Sequence, residues 1–449
     1  MLKEIFEIES SAFFESLTCT FGAKVEAMEF KFDELYAKEL DSKDPLAKFR
    51  DEFLFPQFND EKVVYFTGNS LGLQPKAAKA ALNQELDDWA KYGVEGHFEA
   101  KQPWFAYHEM FAEPLANLVG AKPNEVVAMN GLTTNLHLLM VSFYQPKGSK
   151  TKILCEAKAF PSDLYALKSQ IRFHGLDPEE HLIGLVPREG ESHLRTEDIL
   201  AKVEEHANEL ALVMLGGVNY YSGQVLAMQE IAALCQNRGI TVGYDLAHGI
   251  GNVNLELHDW GVDFASWCSY KYLNSGPGSV SGVYIHERHH HKDDIPRFEG
   301  WWGHDKTERF KMESDFKPIR SAEAWQLSNA PVLAMAVHKA SLDLFMEAGF
   351  DNLIEKSKKM TAYLNFVIDE VSSQSTTTSF EIITPKERGC QLSILCHGAG
   401  RELFDKLSSN GVVADWREPN VIRIAPVPMY NSYEDCYRFG KILADSLTQ

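Results

Sequence analysis

Residues 267–278 read Trp-Cys-Ser-Tyr-Lys-Tyr-Leu-Asn-Ser-Gly-Pro-Gly, and this stretch places a lysine where an apolar run gives way to glycines and a proline. Such a run predicts a buried strand that ends close to Lys271. A second strand-like run, Thr-Val-Gly-Tyr-Asp at residues 241–245, ends on the carboxylate of Asp245. A lysine amine and an aspartate at two strand ends indicate a pyridoxal phosphate site. The amine would form the Schiff base, and the carboxylate would keep the pyridine nitrogen protonated.

Taken singly, Lys271 is more simply explained as a surface lysine and Asp245 as a helix cap, so the hypothesis depends on the pair and on the surrounding fold. Strand-like runs alternate with helical segments through the middle of the chain; the runs are residues 153–155, 210–215, 241–245, 263–268 and 282–285. This rhythm predicts an α/β fold with a mostly parallel sheet flanked by helices. In such folds the site lies at the carboxyl ends of the strands.

We expect three regions. Residues 1–60 are expected to form a helical segment that packs on the rest of the chain. Residues 61–330 are expected to form the large cofactor-binding domain. Residues 331–449 predict a smaller C-terminal α+β domain, because helical stripes precede strand-like runs near its end. Arg423 lies in the last of these runs, where it is either paired structurally or clamps a carboxylate.

Composition narrows the class of protein. The 449-residue chain has a formal net charge of −20, which disfavours nucleic acid and anionic membranes as partners. No apolar run approaches the length of a membrane span, and residues 1–10 lack the pattern of a signal peptide. Seven cysteines without a Cys-x-x-Cys pair are typical of reduced thiols. These features predict a cytoplasmic protein.

The turn at residues 68–72 reads Gly-Asn-Ser-Leu-Gly, the pattern of a hydrolase nucleophile elbow. In an elbow the helix starts directly after the serine, whereas here residues 71–74 intervene before Pro75. We therefore expect Ser70 to line a pocket. Pro75 is expected to open a helix with a buried apolar face, made of Ala78, Leu82, Leu86 and Trp89.

Three other segments have competing interpretations. Gly131 precedes a helix whose first turn contains Thr133 and Thr134. The start of this helix is either an ordinary N-cap or a binding site for a phosphate dianion. The glycines of residues 276–282 lack the spacing and the following helix of a dinucleotide site. Histidines at 286 and 289–291 could bind a metal, but an exposed polar loop explains them better, and we predict no metal site.

Several motifs resemble those of the kynureninase family from about residue 60 to near the end of the chain. They are Thr-Gly-Asn-Ser-Leu-Gly-Leu at 67–73, Phe-Pro-Ser-Asp at 160–163, Tyr-Asp-Leu-Ala-His at 244–248, His-Asp-Trp-Gly-Val-Asp-Phe at 258–264, Ser-Tyr-Lys-Tyr-Leu-Asn at 269–274 and Ala-Pro-Val-Pro at 425–428. The resemblance implies the aspartate aminotransferase fold, which is fold type I of pyridoxal phosphate enzymes, and a homodimer with shared active sites. It also implies hydrolysis of kynurenine or 3-hydroxykynurenine to alanine and an anthranilate. This is a step of tryptophan degradation whose catabolic or NAD-biosynthetic role stays open.

The resemblance also implies roles for particular residues. Lys271, Asp245 and Tyr270 would be catalytic. The other cofactor-binding residues would be Leu132, Thr133, Phe160, Pro161, Ser162, Asp163, Gly216 and His248, with Trp301 and Asn329 reaching in from the partner subunit. The substrate would contact Ser70, His97, Asn329 and Arg423. His97 with Asn329 favours 3-hydroxykynurenine. The nearest rival, a cysteine desulfurase, would need a reactive thiol, for which Cys390 and Cys396 are the candidates.

Overall fold

The structure is a computed structural model that describes residues 29–448. Its strands are β1 (Phe53–Leu54), β2 (Gln57–Phe58), β3 (Glu61–Lys62), β4 (Val64–Tyr65), β5 (Gln74–Pro75), β6 (Val126–Met129), β7 (Lys152–Glu156), β8 (Leu182–Leu185), β9 (Leu210–Gly216), β10 (Thr241–Asp245), β11 (Phe264–Trp267), β12 (Ser281–Ile285), β13 (Ser379–Ile382), β14 (Leu392–His397), β15 (Val412–Val413), β16 (Asp415–Arg417) and β17 (Val421–Ile424).

The α-helices are α1 (Glu34–Ser42), α2 (Ala77–Tyr92), α3 (Gly96–Glu99), α4 (Ala112–Val119), α5 (Leu132–Phe143), α6 (Pro161–Phe173), α7 (Pro178–His181), α8 (Thr196–Glu205), α9 (Met228–Asn237), α10 (Val332–Ala348), α11 (Phe350–Gln374), α12 (Arg401–Ser409) and α13 (Tyr433–Thr448). No helix of residues 29–448 is both long and apolar enough to cross a membrane.

A seven-stranded sheet in the order β6-β12-β11-β10-β9-β7-β8 forms the centre of the molecule. Its strands pair in parallel except that β12 runs antiparallel to both of its neighbours. A smaller antiparallel sheet, β13-β14-β17-β16, lies in the C-terminal part. The predicted fold, a mostly parallel sheet flanked by helices plus a smaller C-terminal domain, is confirmed.

The middle of the large sheet is apolar on both faces, as strands covered by helices require. All residues of β11 are buried, and in β10 only Thr241 is partly exposed. Gly243 allows the two strands to pack closely, because a Cβ there would stand 2.2 Å from the ring of Phe264. This packing fixes the position of Asp245, at the carboxyl end of β10, relative to the end of β11.

Residues near the start of the described chain pack against its end. The carboxylate of Asp41 accepts hydrogen bonds from the N–H groups of Tyr433 at 2.7 Å and Glu434 at 2.9 Å, so it caps the start of α13. The strand β4 pairs in parallel with β15, which lies almost 350 residues later. The predicted helical segment includes residues 1–28, which lie outside the described part of the chain.

Two local predictions are wrong. The helix after the 68–72 turn begins at Ala77, since Pro75 ends a short strand, and its Leu86 and Trp89 are 40% and 60% exposed. Its buried positions include Glu85 instead, because that carboxylate accepts hydrogen bonds from an indole and a phenol, those of Trp104 and Tyr107.

The histidine-rich segment is not an exposed loop. His289 and His290 are buried, and their ring nitrogens bond to the Asp263 carboxylate at 2.8 Å and to the Ile285 carbonyl at 2.9 Å. His286 lies instead beside a different carboxylate, that of Glu125, at 3.6 Å. These neighbouring histidines therefore bond to different parts of the fold.

Candidate active site

A cavity of about 370 Å³ opens at the carboxyl ends of three neighbouring strands. The last residues of β7, β9 and β10, which are Glu156, Gly216 and Asp245, all line it. The loop after β11 adds Tyr270 and Lys271 to the wall. The prediction that a site forms where these strands end therefore matches the position of the cavity.

Lys271 and Asp245 face this common cavity. The Lys271 amine lies 5.8 Å from the centre of the Phe160 ring, which is 44% exposed and forms part of the wall. Asp245 is buried and accepts a hydrogen bond from the N–H of Ala247 at 2.7 Å. Burial raises the pKa of Asp245, and the Ala247 N–H and the charge of Lys271 offset part of that rise.

Two further carboxyl groups surround Asp245. Asp163 lines the cavity beside it, and burial together with the Asp245 charge raises the pKa of Asp163 well above its ordinary value. Glu156 accepts hydrogen bonds from the Gly216 N–H at 2.9 Å and the Asn219 amide at 3.4 Å, while burial raises its pKa. Such a cluster stabilises a cation, and the protonated nitrogen of a pyridine ring meets that requirement.

The cofactor-sized cavity also contains a site suited to an anion, at the start of α5. Gly131 is the N-cap of this helix and offers no side chain to bond the first-turn N–H groups. Leu132, Thr133 and Thr134 follow it in the cavity wall. Free N–H groups, two hydroxyls and the positive end of the helix dipole suit a phosphate dianion.

His248 and Tyr270 complete the polar wall. Burial, followed by the charges of Lys271 and Arg423, holds the pKa of His248 well below its ordinary value, so the imidazole is neutral. Its buried Nδ1 has no hydrogen-bond partner within the described chain. Burial and then the neighbouring Cys268 raise the pKa of Tyr270, so its hydroxyl keeps its proton at neutral pH. With a lysine, a carboxyl cluster and an anion site in one cavity, the residues fit pyridoxal phosphate.

The structure brings most of the expected cofactor residues together. The cavity is lined by Leu132, Thr133, Phe160, Ser162, Asp163, Gly216, Asp245, His248, Tyr270 and Lys271, whereas Pro161 opens α6 without lining it. Sequence reasoning missed Glu156 and Tyr220, which also line the cavity. Glu156 ends an apolar strand just as Asp245 does, so the same signal could have found it.

Three expected residues lie elsewhere. Trp301 belongs to a surface that we call the aromatic surface, made of Phe98, Phe105, Trp301, Trp302 and Phe310. Its rings contact one another with centroids 5.4–6.0 Å apart, and Phe98, Trp301 and Phe310 are each more than half exposed. His97 packs on Trp104 next to it, and Asn329 is exposed. Trp301, His97 and Asn329 do not line the cavity of their own chain.

Arg423 and Ser70 meet at a common carboxylate. Arg423 is 2% exposed, pairs with Asp415 and donates to the carbonyl of Tyr220, whose residue lines the cavity. The Ser70 hydroxyl donates to Asp415 at 3.0 Å, and its turn contacts the site through the Gly72 N–H on the Tyr270 carbonyl at 2.9 Å. The partner of Ser70 is a carboxylate instead of a histidine, which argues against a hydrolase nucleophile.

Similarity to known proteins agrees with this geometry. The aminotransferase class-V family matches residues 64–395, and the kynureninase C-terminal domain family matches residues 353–443. The chain is 57% identical to a kynureninase of Flavobacterium johnsoniae over 93% of its length and 98% of the relative. It is 52% identical to a kynureninase of Myxococcus xanthus over 92% of its length and 97% of the relative.

Among solved structures, a C-DES variant with glycine covalently linked to its pyridoxal phosphate has a TM-score of 0.72 at 18% identity, covering 88% of this chain and 98% of that one. The cysteine desulfurase of Thermococcus onnurineus has a TM-score of 0.70 at 17% identity, covering 86% and 95%. These structures show the fold alone. Because its curated relatives share half or more of their residues with it over nearly their whole length, the chain belongs to the kynureninase family, enzymes that use pyridoxal phosphate on the class-V aminotransferase fold.

Proposed function

We propose that the protein hydrolyses 3-hydroxykynurenine, and less efficiently kynurenine, to the corresponding anthranilate and L-alanine in tryptophan degradation by the kynurenine route. The observation that carries the proposal is the cavity shared by Lys271, Asp245 and the open start of α5. A kynureninase C-terminal domain and curated kynureninase relatives support the reaction class.

The residues that would hold the cofactor follow from the wall of the cavity. Lys271 would attach it, Asp245 would pair with its ring nitrogen, and Phe160 would cover one face of its ring. Leu132 and Thr133 would bind its phosphate. When bound, pyridoxal phosphate supplies an electron sink that makes cleavage of the Cβ–Cγ bond feasible.

The chain's own groups would manage protons and orientation. The Lys271 amine would take the proton from the substrate Cα. Tyr270 keeps its hydroxyl proton at neutral pH and is therefore suited to donate it during cleavage. Arg423 would bind the substrate carboxylate, since a guanidinium matches the two oxygens of a carboxylate.

We also propose a homodimer in which Trp301 and Asn329 of one subunit complete the cavity of the other. In support, these residues are exposed in a single chain, and the aromatic surface is larger than the isolated apolar residues normal for a monomer. Sedimentation velocity tests the proposal. A fully active enzyme that sediments as a monomer at assay concentration would contradict it.

The preference for 3-hydroxykynurenine depends on His97. Its ring Nδ1 has no hydrogen-bond partner in the described chain. In the proposed homodimer His97 would join Trp301 and Asn329 at the cavity of the other subunit, where this nitrogen would be able to bond a ring hydroxyl. A single neutral hydrogen bond contributes about 1 kcal/mol, roughly fivefold in kcat/KM. We expect His97→Phe to lower the ratio of kcat/KM for 3-hydroxykynurenine over kynurenine by about that factor. An unchanged ratio would remove His97 from the hydroxyl contact.

The rival activity, cysteine desulfuration, requires a reactive thiolate. Cys390 and Cys396 are each 1% exposed, and burial raises the pKa of both thiols to about 12. A buried thiol that keeps its proton is inert, whereas a cysteine desulfurase needs a reactive thiolate on a mobile loop. We expect Cys390→Ser and Cys396→Ser to retain kynurenine cleavage, and loss of turnover in a folded variant would revive the rival. The six cysteines of the described chain are all free and buried, which fits the proposed cytoplasmic location.

One comparison tests the whole proposal. Lys271→Ala should lose the visible absorbance of bound pyridoxal phosphate that depends on the covalent link, and release no fluorescent anthranilate. Lys358→Ala, at an exposed position on α11, is the matched control and should behave as the unchanged protein. Turnover by Lys271→Ala at the rate of the control would reject the proposed role of Lys271.

A further inference from the structure

The charges around Arg423 do not balance. Asp415 and Arg423 stand directly opposite each other on β16 and β17, so the sheet itself forms their ion pair. Arg417 bonds the same carboxylate through two nitrogens at 3.0 and 3.2 Å. Two guanidinium groups thus share one carboxylate, and the set of Asp415, Arg417 and Arg423, which we call the guanidinium cluster, carries a net charge of +1.

One donor of the guanidinium cluster is unused. Arg423 is buried, yet its Nε has no hydrogen-bond partner within the described chain. A buried donor without an acceptor costs free energy, and more so on a charged group. The cluster therefore lacks one anion and one acceptor.

The guanidinium cluster lies next to the cofactor cavity, because Arg423 contacts Tyr220, which is part of the cavity wall. Arg423 donates to the Tyr220 carbonyl, and its guanidinium lies 5.9 Å from the centre of the Tyr220 ring, which in turn contacts the Phe160 ring at 5.3 Å. His248, in the cavity wall, has its pKa lowered first by burial and then by the charges of Lys271, Arg423 and Arg417. An anion arriving in the cavity would therefore feel both guanidinium groups.

We propose that Asp415 is a resident counter-ion that occupies Arg423 while no substrate is bound and transfers fully to Arg417 when a substrate carboxylate arrives. The net charge of the guanidinium cluster then sets the affinity for carboxylate ligands. This inference rests on the proposed role of Arg423 in binding the substrate carboxylate. Asp415 and Arg417 are positioning residues, because they act through Arg423.

The exchange is physically feasible because Asp415 keeps partners throughout. Removing one member of a buried ion pair costs several kcal/mol when the other charge is left alone, which would make a simple displacement of Asp415 prohibitive. Here Asp415 retains two bonds from Arg417 and one from the Ser70 hydroxyl. The incoming carboxylate brings the second anion, so that each guanidinium ends with its own carboxylate.

A charge series tests the inference in the cofactor-loaded protein. L-alanine, which has the carboxylate, and L-alaninamide, which lacks it, are titrated while the visible absorbance of the bound cofactor is recorded. Asp415→Asn raises the cluster charge to +2, and we expect the Kd for alanine to fall about tenfold, or about 1.4 kcal/mol. Arg417→Gln lowers the charge to zero, and the Kd should rise by a similar factor. The Kd for alaninamide should change little in either variant.

The double variant Asp415→Asn/Arg417→Gln restores a charge of +1 and should return the Kd for alanine close to that of the unchanged protein. A merely structural role predicts instead that both single variants bind alanine more weakly and that the double variant is the worst. Either that order or equal shifts for alaninamide would overturn the inference.

Two additional variants keep the result interpretable. If Asp415→Asn does not fold, Arg417→Lys retains the charge but not the forked pair of bonds, and alanine should bind more weakly; unchanged affinity would refute the exchange. Arg423→Gln separates the two levels of the argument. If it leaves alanine binding intact, the proposed function of Arg423 is wrong. If it abolishes alanine binding while the charge series shows no order, only the counter-ion inference is wrong.

Discussion

The ion-pair network around Glu323 gives a prediction whose size follows from the structure. Its carboxylate bonds His108 at 2.7 Å and Lys306 at 2.8 Å, and these contacts join the segment leading to Asn329 with the segment that holds Phe105. Burial alone would raise the pKa of Glu323, but its hydrogen bonds to His108 and Lys306 and its attraction to both groups hold the pKa at about 2. The network thus supports the region of the aromatic surface.

A pKa lowered from the ordinary 4.5 to about 2 corresponds to about 3 kcal/mol of folding stability at neutral pH, since each tenfold change in acidity is worth about 1.4 kcal/mol. The folded-state pKa is the lower one. The stabilisation is therefore present in full above pH 4.5 and is lost as the pH falls from there towards 2. At about 2.1 cal/mol/K of unfolding entropy per residue, Glu323→Gln should lower Tm at pH 7 by about 3 °C.

Thermal unfolding of the cofactor-saturated protein, followed by circular dichroism at several pH values, measures this effect. The Tm difference between Glu323→Gln and the unchanged protein should shrink below pH 4.5. Glu109→Gln is the matched control, because Glu109 also bonds Lys306, at 2.7 Å, but is half exposed, and such pairs contribute little. Equal losses in the two variants, or a difference that does not depend on pH, would refute the reasoning.

Three other substitutions test the packing and electrostatics of the fold. Gly243→Ala places a methyl group 2.2 Å from the Phe264 ring and should cost about 1–3 kcal/mol, seen as a lower Tm and weaker cofactor retention; an unchanged Tm would contradict this. Burial lowers the pKa of His338 to about 3, so the native protein loses stability as the pH falls below 6.5. The Tm of His338→Leu, compared with that of the unchanged protein, should therefore rise between pH 8 and pH 5. The same Tm difference at both pH values would contradict this. Arg50→Met removes the two guanidinium bonds to buried Asp435, at 2.6 and 3.0 Å, and leaves this carboxylate with hydrogen bonds only from the neutral donors of Asn431 and Ser432. It should cost about 3 kcal/mol by urea denaturation, and a loss below about 1 kcal/mol would show that the pair contributes little.

Much of the candidate site could be predicted to lie together because its main residues stand at the ends of local patterns. Lys271 and Asp245 each follow a short apolar run, and parallel strands covered by helices bring their carboxyl ends to one edge of the sheet. Phe160 and Thr133 stand at the starts of helices that face the same edge. Periodicity and turn residues are properties of neighbouring positions, so a single sequence displays them.

The tertiary structure decided what depends on distant neighbours. The pairing of β4 with β15, and the bond from the Ser70 hydroxyl to Asp415, join segments whose separation in the chain carries no signal of contact. The burial of Glu85 depends on the indole of Trp104 and the phenol of Tyr107, which lie in another helical segment. The apolar pattern of the helix that holds Glu85 therefore predicted the wrong buried face. The sequence by itself determined which groups stand at the ends of strands and helices, because these are local consequences of backbone and side-chain preference. Only the folded chain decided which charges share a partner, because that is set by where long-range packing places them.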